Sequence, residues 1–123
     1  MKIEVSIGEI VDKLSILQIK KEEVKDESKL LNISKEYEYL YDIVFKDMNI
    51  QLSDFLELLS VNKKLWIIED DIRNKERNNE FDDVFIELAR AVYVTNDERA
   101  EVKKKINLKY GSEFVEEKSY NPY

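Results

Sequence analysis

Two glycines and one proline in 123 residues leave this chain few places to break a helix. Glycine loosens a helix and proline interrupts it, so a chain nearly free of both can run in long helical stretches. Charged residues make up 38% of the sequence, above the usual share of about 25%. Hydrophobic residues make up 43%, enough to build a modest core in a chain of this length. Long helices with solvated outer faces reconcile these figures. The expected fold is an all-α antiparallel bundle of about five helices, with residues 1–123 as a single helical domain and 113–123 as an extended C-terminal tail. The two termini could add a small two-stranded element.

The helices can be placed from local signals. Ile3, Val5 and Ile7 alternate with polar residues and predict a short strand over Lys2–Ser6. Ser6 and Glu9 then fit a capping box, in which the hydroxyl accepts from the Glu9 amide and the carboxylate reaches back. The first helix runs to about Val24 with Ile7, Ile10, Val11, Leu14 and Leu17 on one stripe. Ile16 and Ile19 widen that stripe, so this helix should touch more than one neighbour. A second helix spans about Lys29 to Phe45. In it Tyr37, Tyr39 and Tyr41 read as packing residues with wet hydroxyls. Asp54 and Glu57 form a second capping box, opening a third helix to about Arg77. Asn78, Asn79 and Glu80 make a turn. A fourth helix covers about Asp82 to Tyr93, and Thr95 with Glu98 opens a fifth, ended by Gly111. Pairs one–two and three–four are expected as antiparallel hairpins. Glu113–Glu117 is the expected partner of the N-terminal strand.

Missing residue types narrow the chemistry. Without cysteine there is no disulfide, thiol nucleophile or thiolate metal site, and without histidine there is no Ser-His-Asp chemistry and no common base near pH 7. A net charge of −7 makes a nucleic-acid backbone an improbable main partner. No apolar run is long enough to span a membrane, and the N-terminus lacks a signal-peptide pattern, so the expected location is the cytoplasm.

The third helix carries the feature that most invites a site. Val61–Glu76 holds the single tryptophan, Trp66, and sets Glu69, Asp70, Asp71, Arg73 and Glu76 into an apolar helical pattern. Such a conflict between burial and charge is where function is expected. One grouping takes Glu69 and Asp70 with Glu9 and Asp12 of the first helix as oxygen ligands for Mg²⁺, since carboxylate pairs on facing helices can hold a metal and activate water. A second takes Asn62, Glu69, Arg73, Arg90, Asn96, Asp97, Arg99 and Lys103 as a site for a small anionic ligand, such as a nucleotide or sugar nucleotide. Guanidinium groups and a helix start suit phosphate or carboxylate. The bland alternatives are a solvated face, a capped fifth helix, and a Glu69–Arg73 pair locking helices three, four and five together. Likewise the Lys103–Lys109 run reads as a solvated face, and Phe114–Tyr123 either covers the core or docks on a partner.

Several stretches carry a resemblance. VSIGEIVDKLSILQIK, VNKKLWIIEDDIRNKE, FIELARAVYVTNDERAEVKKKIN and GSEFVEEKSY together resemble a family of small phage and bacterial proteins, domain-of-unknown-function family 6165. The resemblance implies a complete family member and carries no activity with it. If the chain is phage-encoded, its expected location is the host cytoplasm. The preference of lysine over arginine would suit an AT-rich genome. The functional expectation is a non-enzymatic helical interaction or accessory protein that self-associates or binds a protein partner, with no cofactor. The alternative is a small Mg²⁺-dependent enzyme or binding protein for a phosphorylated ligand.

Overall fold

A computed structural model describes all residues, 1–123, and it is all helical, without a strand. Four α-helices follow one another: α1 (Ile7–Glu23), α2 (Glu27–Asp42), α3 (Leu52–Arg77) and α4 (Asp83–Lys109). Between α2 and α3, Ile43–Asp47 forms a π-helical turn, closed by Met48 N–H donating to the Ile43 carbonyl.

Local chemistry explains most of the boundaries. Ser6 caps α1 by accepting from the Glu9 amide at 3.2 Å. Asp26 caps α2 by accepting from Lys29 N–H at 3.1 Å, so this helix starts at Glu27, ahead of the expected Lys29. Asn79 takes a left-handed conformation just past α3, and Glu80 N–H reaches back to the Lys75 carbonyl. Gly111 does the same past α4, where Ser112 N–H reaches the Asn107 carbonyl. Both closures satisfy carbonyls that a helix end would otherwise leave open.

The expected fourth and fifth helices are one continuous helix. Thr95 lies inside α4 and is buried, and Glu98 pairs with Lys64 instead of capping. No glycine or proline stands between Asp83 and Lys109, so a Thr-x-x-Glu pattern had nothing to start after. Asp54 is likewise within α3, with its side chain committed elsewhere. The expected strand is also absent: Ile3 and Val5 are exposed, and residues 113–123 have no regular structure. The termini are nonetheless tied. The Ile7 amide donates to Ser112 Oγ at 3.0 Å and the Gly8 amide donates to Asn107 Oδ1 at 2.6 Å. Free amides at the start of α1 are thus satisfied by side chains from the end of α4. Gly8 is needed for this approach, because a Cβ there would stand 2.7 Å from the Lys103 carbonyl oxygen.

α1 is the hub, touching α2, α3, α4 and the π-helical turn. Val11, Leu14 and Ile19 of α1 meet Val44, Phe55, Leu58, Leu59, Val102 and Ile106 in one buried cluster. Each such side chain contributes about 1.5–3 kcal/mol when fully buried. A row of rings, Tyr37, Tyr41, Phe45 and Phe55, runs from α2 across the π-helical turn to α3, with Lys21 over the Tyr37 ring. Tyr37 packs against the core as expected, whereas Tyr41, though in contact with the Tyr37 and Phe45 rings, is 41% exposed and Tyr39 is 66% exposed.

α3 and α4 are antiparallel neighbours. Asp54–Lys109 (2.8 Å), Glu57–Lys105 (2.6 Å), Lys64–Glu98 (3.4 Å) and Lys75–Asp82 (2.9 Å) mark their register. These helices have 26 and 27 residues, about 39 Å each, against about 26 Å for the 17 residues of α1. The excess length has no third helix to lie against, and no residue from Glu69 to Val94 is buried.

Candidate functional site

The buried stripe of α1 carries two polar residues, Asp12 and Ser15, among Val11, Leu14 and Leu17. Asp12 is only 2% exposed, and a carboxylate so placed needs partners. It receives Arg99 from α4 as a two-pronged pair: Nε donates to Oδ1 at 3.0 Å and Nη2 to Oδ2 at 2.5 Å. Asn62 from α3 donates to Asp12 Oδ1 at 2.9 Å and to Ser15 Oγ at 2.6 Å. The Ser15 hydroxyl donates to the Asp12 carbonyl at 2.7 Å. A carboxylate can only accept, so the NH₂ end of Asn62 must face Asp12. The hydrogen bond to Asp12 raises the Arg99 pKa, against the opposing effect of burial, so the guanidinium stays charged. Three helices therefore meet at one ion pair, and no buried side-chain nitrogen or oxygen is left without a partner.

A second arrangement lies next to it along α4. Burial of Lys103 opposes its charge, but hydrogen bonds to Glu9 at 2.9 Å and Glu116 at 3.1 Å outweigh this and raise its pKa. Glu116 lies on the C-terminal tail, which continues along α4 through Glu117–Lys104 (3.2 Å) to Tyr123. The Tyr123 hydroxyl donates to Asp97, and this bond pushes its pKa up to about 12. Tail and helix enclose a wide groove of about 840 Å³, lined by Tyr93, Asn96, Asp97 and Lys118 among others.

A smaller cavity of about 320 Å³ opens beside the Asp12 pair. Its walls are Ile16, Ile19, Leu65 and Trp66. Asn62 and Arg99 belong to its lining, as do Glu69, Asp70 and Arg73. Four of the eight residues grouped from sequence as an anionic-ligand site, Asn62, Glu69, Arg73 and Arg99, thus share one cavity. The other four do not join them. Asn96 and Asp97 line the tail groove, Lys103 is held by Glu9 and Glu116, and Arg90 is exposed and makes no ion pair.

The four carboxylates grouped as a metal site are also dispersed. Glu9 pairs with Lys103, Asp12 is enclosed by Arg99 and Asn62, and Glu69 and Asp70 line the cavity. No three carboxylates gather where they could hold a metal ion. A polar lock is present with other members, and it draws in α1 beside the expected third helix and the stretch expected as the fifth. Glu69–Arg73 is a surface pair at 3.4 Å whose Arg73 side chain is 70% exposed. The buried lock is Asp12–Arg99–Asn62–Ser15, joining α1, α3 and α4.

Sequence reasoning passed over Ser15, Asn107 and Glu116. Ser15 had a signal, since it falls on the apolar stripe of α1 three residues after Asp12. Asn107 and Glu116 had none, because only the close approach at Gly8 and the return of the tail give them partners. The lysine run is largely neutralised: Lys103, Lys104, Lys105 and Lys109 each meet a carboxylate. Asp54, which receives Lys109 and the Tyr110 hydroxyl, has its pKa lowered by those two hydrogen bonds.

These features define a small helical bundle with a buried polar lock, a half-open cavity beside it and no gathered set of metal ligands. The chain belongs to the family of unknown function DUF6165, whose model matches residues 1–123. No curated protein and no solved structure matches it. No helix is long and apolar enough to cross a membrane.

Proposed function

We propose that this is a non-enzymatic interaction or accessory protein of the cytoplasm that self-associates through the free half of the α3–α4 hairpin. The observation that carries this reading is the uncovered length of that hairpin. Between Glu69 and Val94 nothing is buried, while Phe81, Val84, Ile86, Tyr93 and Val94 are exposed and Ile67 just before them is 60% exposed. Ile72, Phe85, Leu88, Ala89 and Val92 lie in the seam between the helices and are only half covered. A two-helix arm buries too little to be stable by itself, and a second arm laid against it would cover the same side chains in a four-helix arrangement. Six of the eighteen exposed large hydrophobic side chains lie on this arm, beside the half-covered seam, and a contiguous apolar patch of this kind marks an interaction site.

The rival reading, a Mg²⁺-dependent enzyme or a binder of phosphorylated ligands, has less support. Its carboxylates are apart, and two of its arginines already face Glu69 and Asp12. Light scattering over a concentration series tests the preferred reading. The wild type should give a mass at least twice the 14.7 kDa of one chain, and Phe81→Asp with Ile86→Asp should return it to one chain without loss of helicity. A wild type that stays at one chain's mass at high concentration would remove the self-association reading.

A further inference from the structure

The cavity beside the polar lock has a feature that self-association does not use. Both amide hydrogens of Asn62 are directed inward, toward Asp12 and Ser15. Its carbonyl oxygen accepts no side-chain or backbone hydrogen bond. Yet Asn62 is 96% buried by its own residue area, being 4% exposed, and no buried side-chain nitrogen or oxygen of the protein lacks a partner. That oxygen must therefore face the cavity that Asn62 lines. Arg99 adds a donor. Its Nε and Nη2 are bound to Asp12, no hydrogen bond occupies Nη1, and Arg99 belongs to the same cavity lining. An unused acceptor on Asn62 and an unused donor on Arg99 thus belong to one lining, with apolar walls of Ile16, Ile19, Leu65 and Trp66.

Charge decides the class of ligand. Asp12 cancels Arg99, and Glu69 cancels Arg73 at 3.4 Å, so Asp70 remains as the uncompensated charge at the lining. An anion would meet a net negative surround, whereas a neutral or singly protonated molecule would not. We infer that this cavity is a binding site for a small planar nitrogen heterocycle of nucleobase size, neutral or singly protonated, which offers an N–H to Asn62 Oδ1 and a ring nitrogen or carbonyl to Arg99 Nη1. The volume of about 320 Å³ lies at the lower end of the range for small-molecule sites and has room for a nucleobase, while the charge of the lining disfavours the phosphate of a nucleotide. The lock gives the site its rigidity: Asp12 and Ser15 hold Asn62 in one orientation, and Asp12 holds Arg99 in one plane. Preorganised donors and acceptors of this kind bind with a reduced ordering cost. Glu69, Asp70 and Arg73 of the lining lie on the arm proposed for self-association, but the apolar walls and both unused polar groups come from residues outside it, all within one chain.

Trp66 is the only tryptophan and lines the cavity, so its fluorescence reports on occupancy directly. Adenine and cytosine serve as probes, with inorganic phosphate as the anion control, each titrated into the full chain while its mass is followed by light scattering. Either base should change Trp66 emission saturably, with a midpoint of about 1 mM or tighter. Ile16→Phe, which fills the space from a half-covered position, should shift that midpoint at least tenfold while circular dichroism stays unchanged. Asn62→Leu removes the acceptor but endangers the lock, so Ile16→Phe is the primary variant. Saturation by phosphate, absence of saturation with both bases, or an unchanged midpoint in a folded Ile16→Phe protein would each overturn the inference. A change in mass alone, without a Trp66 response, would also count against it.

Discussion

Asp54 shows how a single residue is read differently by local and tertiary chemistry. In sequence, Asp54 and Glu57 have the spacing of a helix cap. In the folded chain α3 has already begun at Leu52, the Asp54 side chain takes Lys109 and Tyr110 from the far end of α4, and Glu57 takes Lys105. Ser6 has the same spacing to Glu9, and there the cap forms, because the chain before it is not helical. The Asp54 contact carries a pH signature. Hydrogen bonds from Lys109 and Tyr110 lower its folded pKa below the ordinary 3.8. A depressed carboxyl contributes stability that is fully present above the unfolded pKa and is lost as pH falls through the folded value. Asp54→Asn should therefore cost about 1 kcal/mol at pH 7, the size of a typical hydrogen bond. In urea titrations the gap between variant and wild type should close as pH falls below about 4. Glu116 also has a lowered pKa, from its bond to Lys103, but it titrates in both proteins and cancels from the comparison. A gap of constant size from neutral to strongly acidic pH would contradict this account of Asp54.

At the scale of helices, the legible part was what each segment does with its own neighbours in sequence. Gly111, Asn79 and Ser6 each sit where their backbone or side-chain chemistry ends or starts a helix. Asn62, Glu69 and Arg73 could be grouped because spacings of seven and four place them along one side of a single helix. The rest depended on which helix lies against which. Thr95 reads as a helix start only until α4 is seen to continue through it, buried side down. Asp12 reads as one of many acidic residues on an acidic chain until α4 brings Arg99 and α3 brings Asn62. This three-helix lock makes a prediction of its own. Arg99→Leu leaves a buried carboxylate with too few partners and should destabilise the protein by about 3 kcal/mol. Asp12→Leu alone leaves Arg99 without its carboxylate and Asn62 with Ser15 as its one partner, and should cost a similar amount. The double variant Asp12→Leu with Arg99→Leu should cost much less than the two losses added together, because an apolar pair can fill the same volume. Denaturant unfolding of the three variants gives the comparison, and simple additivity would show that the two residues do not act as a unit.

For the whole molecule, the decisive fact is a mismatch of lengths. α1, with α2 packed on it, covers roughly half of the α3–α4 hairpin, and the remainder projects past it with its apolar seam half covered. Composition pointed toward this only in outline, through few helix breakers, many charges and wide apolar stripes. It placed the surplus hydrophobic surface on Ile16, Ile19 and Trp66 to Ile68. Ile19 is buried, Ile16 and Trp66 line the cavity, and of these the exposed one is Ile67, at the base of the arm. The stretch from Phe81 to Val94 adds five more exposed hydrophobic side chains, on a helix that was expected to end at Tyr93 and instead extends as one rod with the rest of α4. Hydrogen exchange measured at low and high protein concentration tests the proposed role of this arm most directly. Exchange should slow with concentration in peptides covering residues 67–94 and stay unchanged in α2, whose outer face is solvated. Exchange across 67–94 that is fast and independent of concentration, or slowing confined to α2, would contradict it.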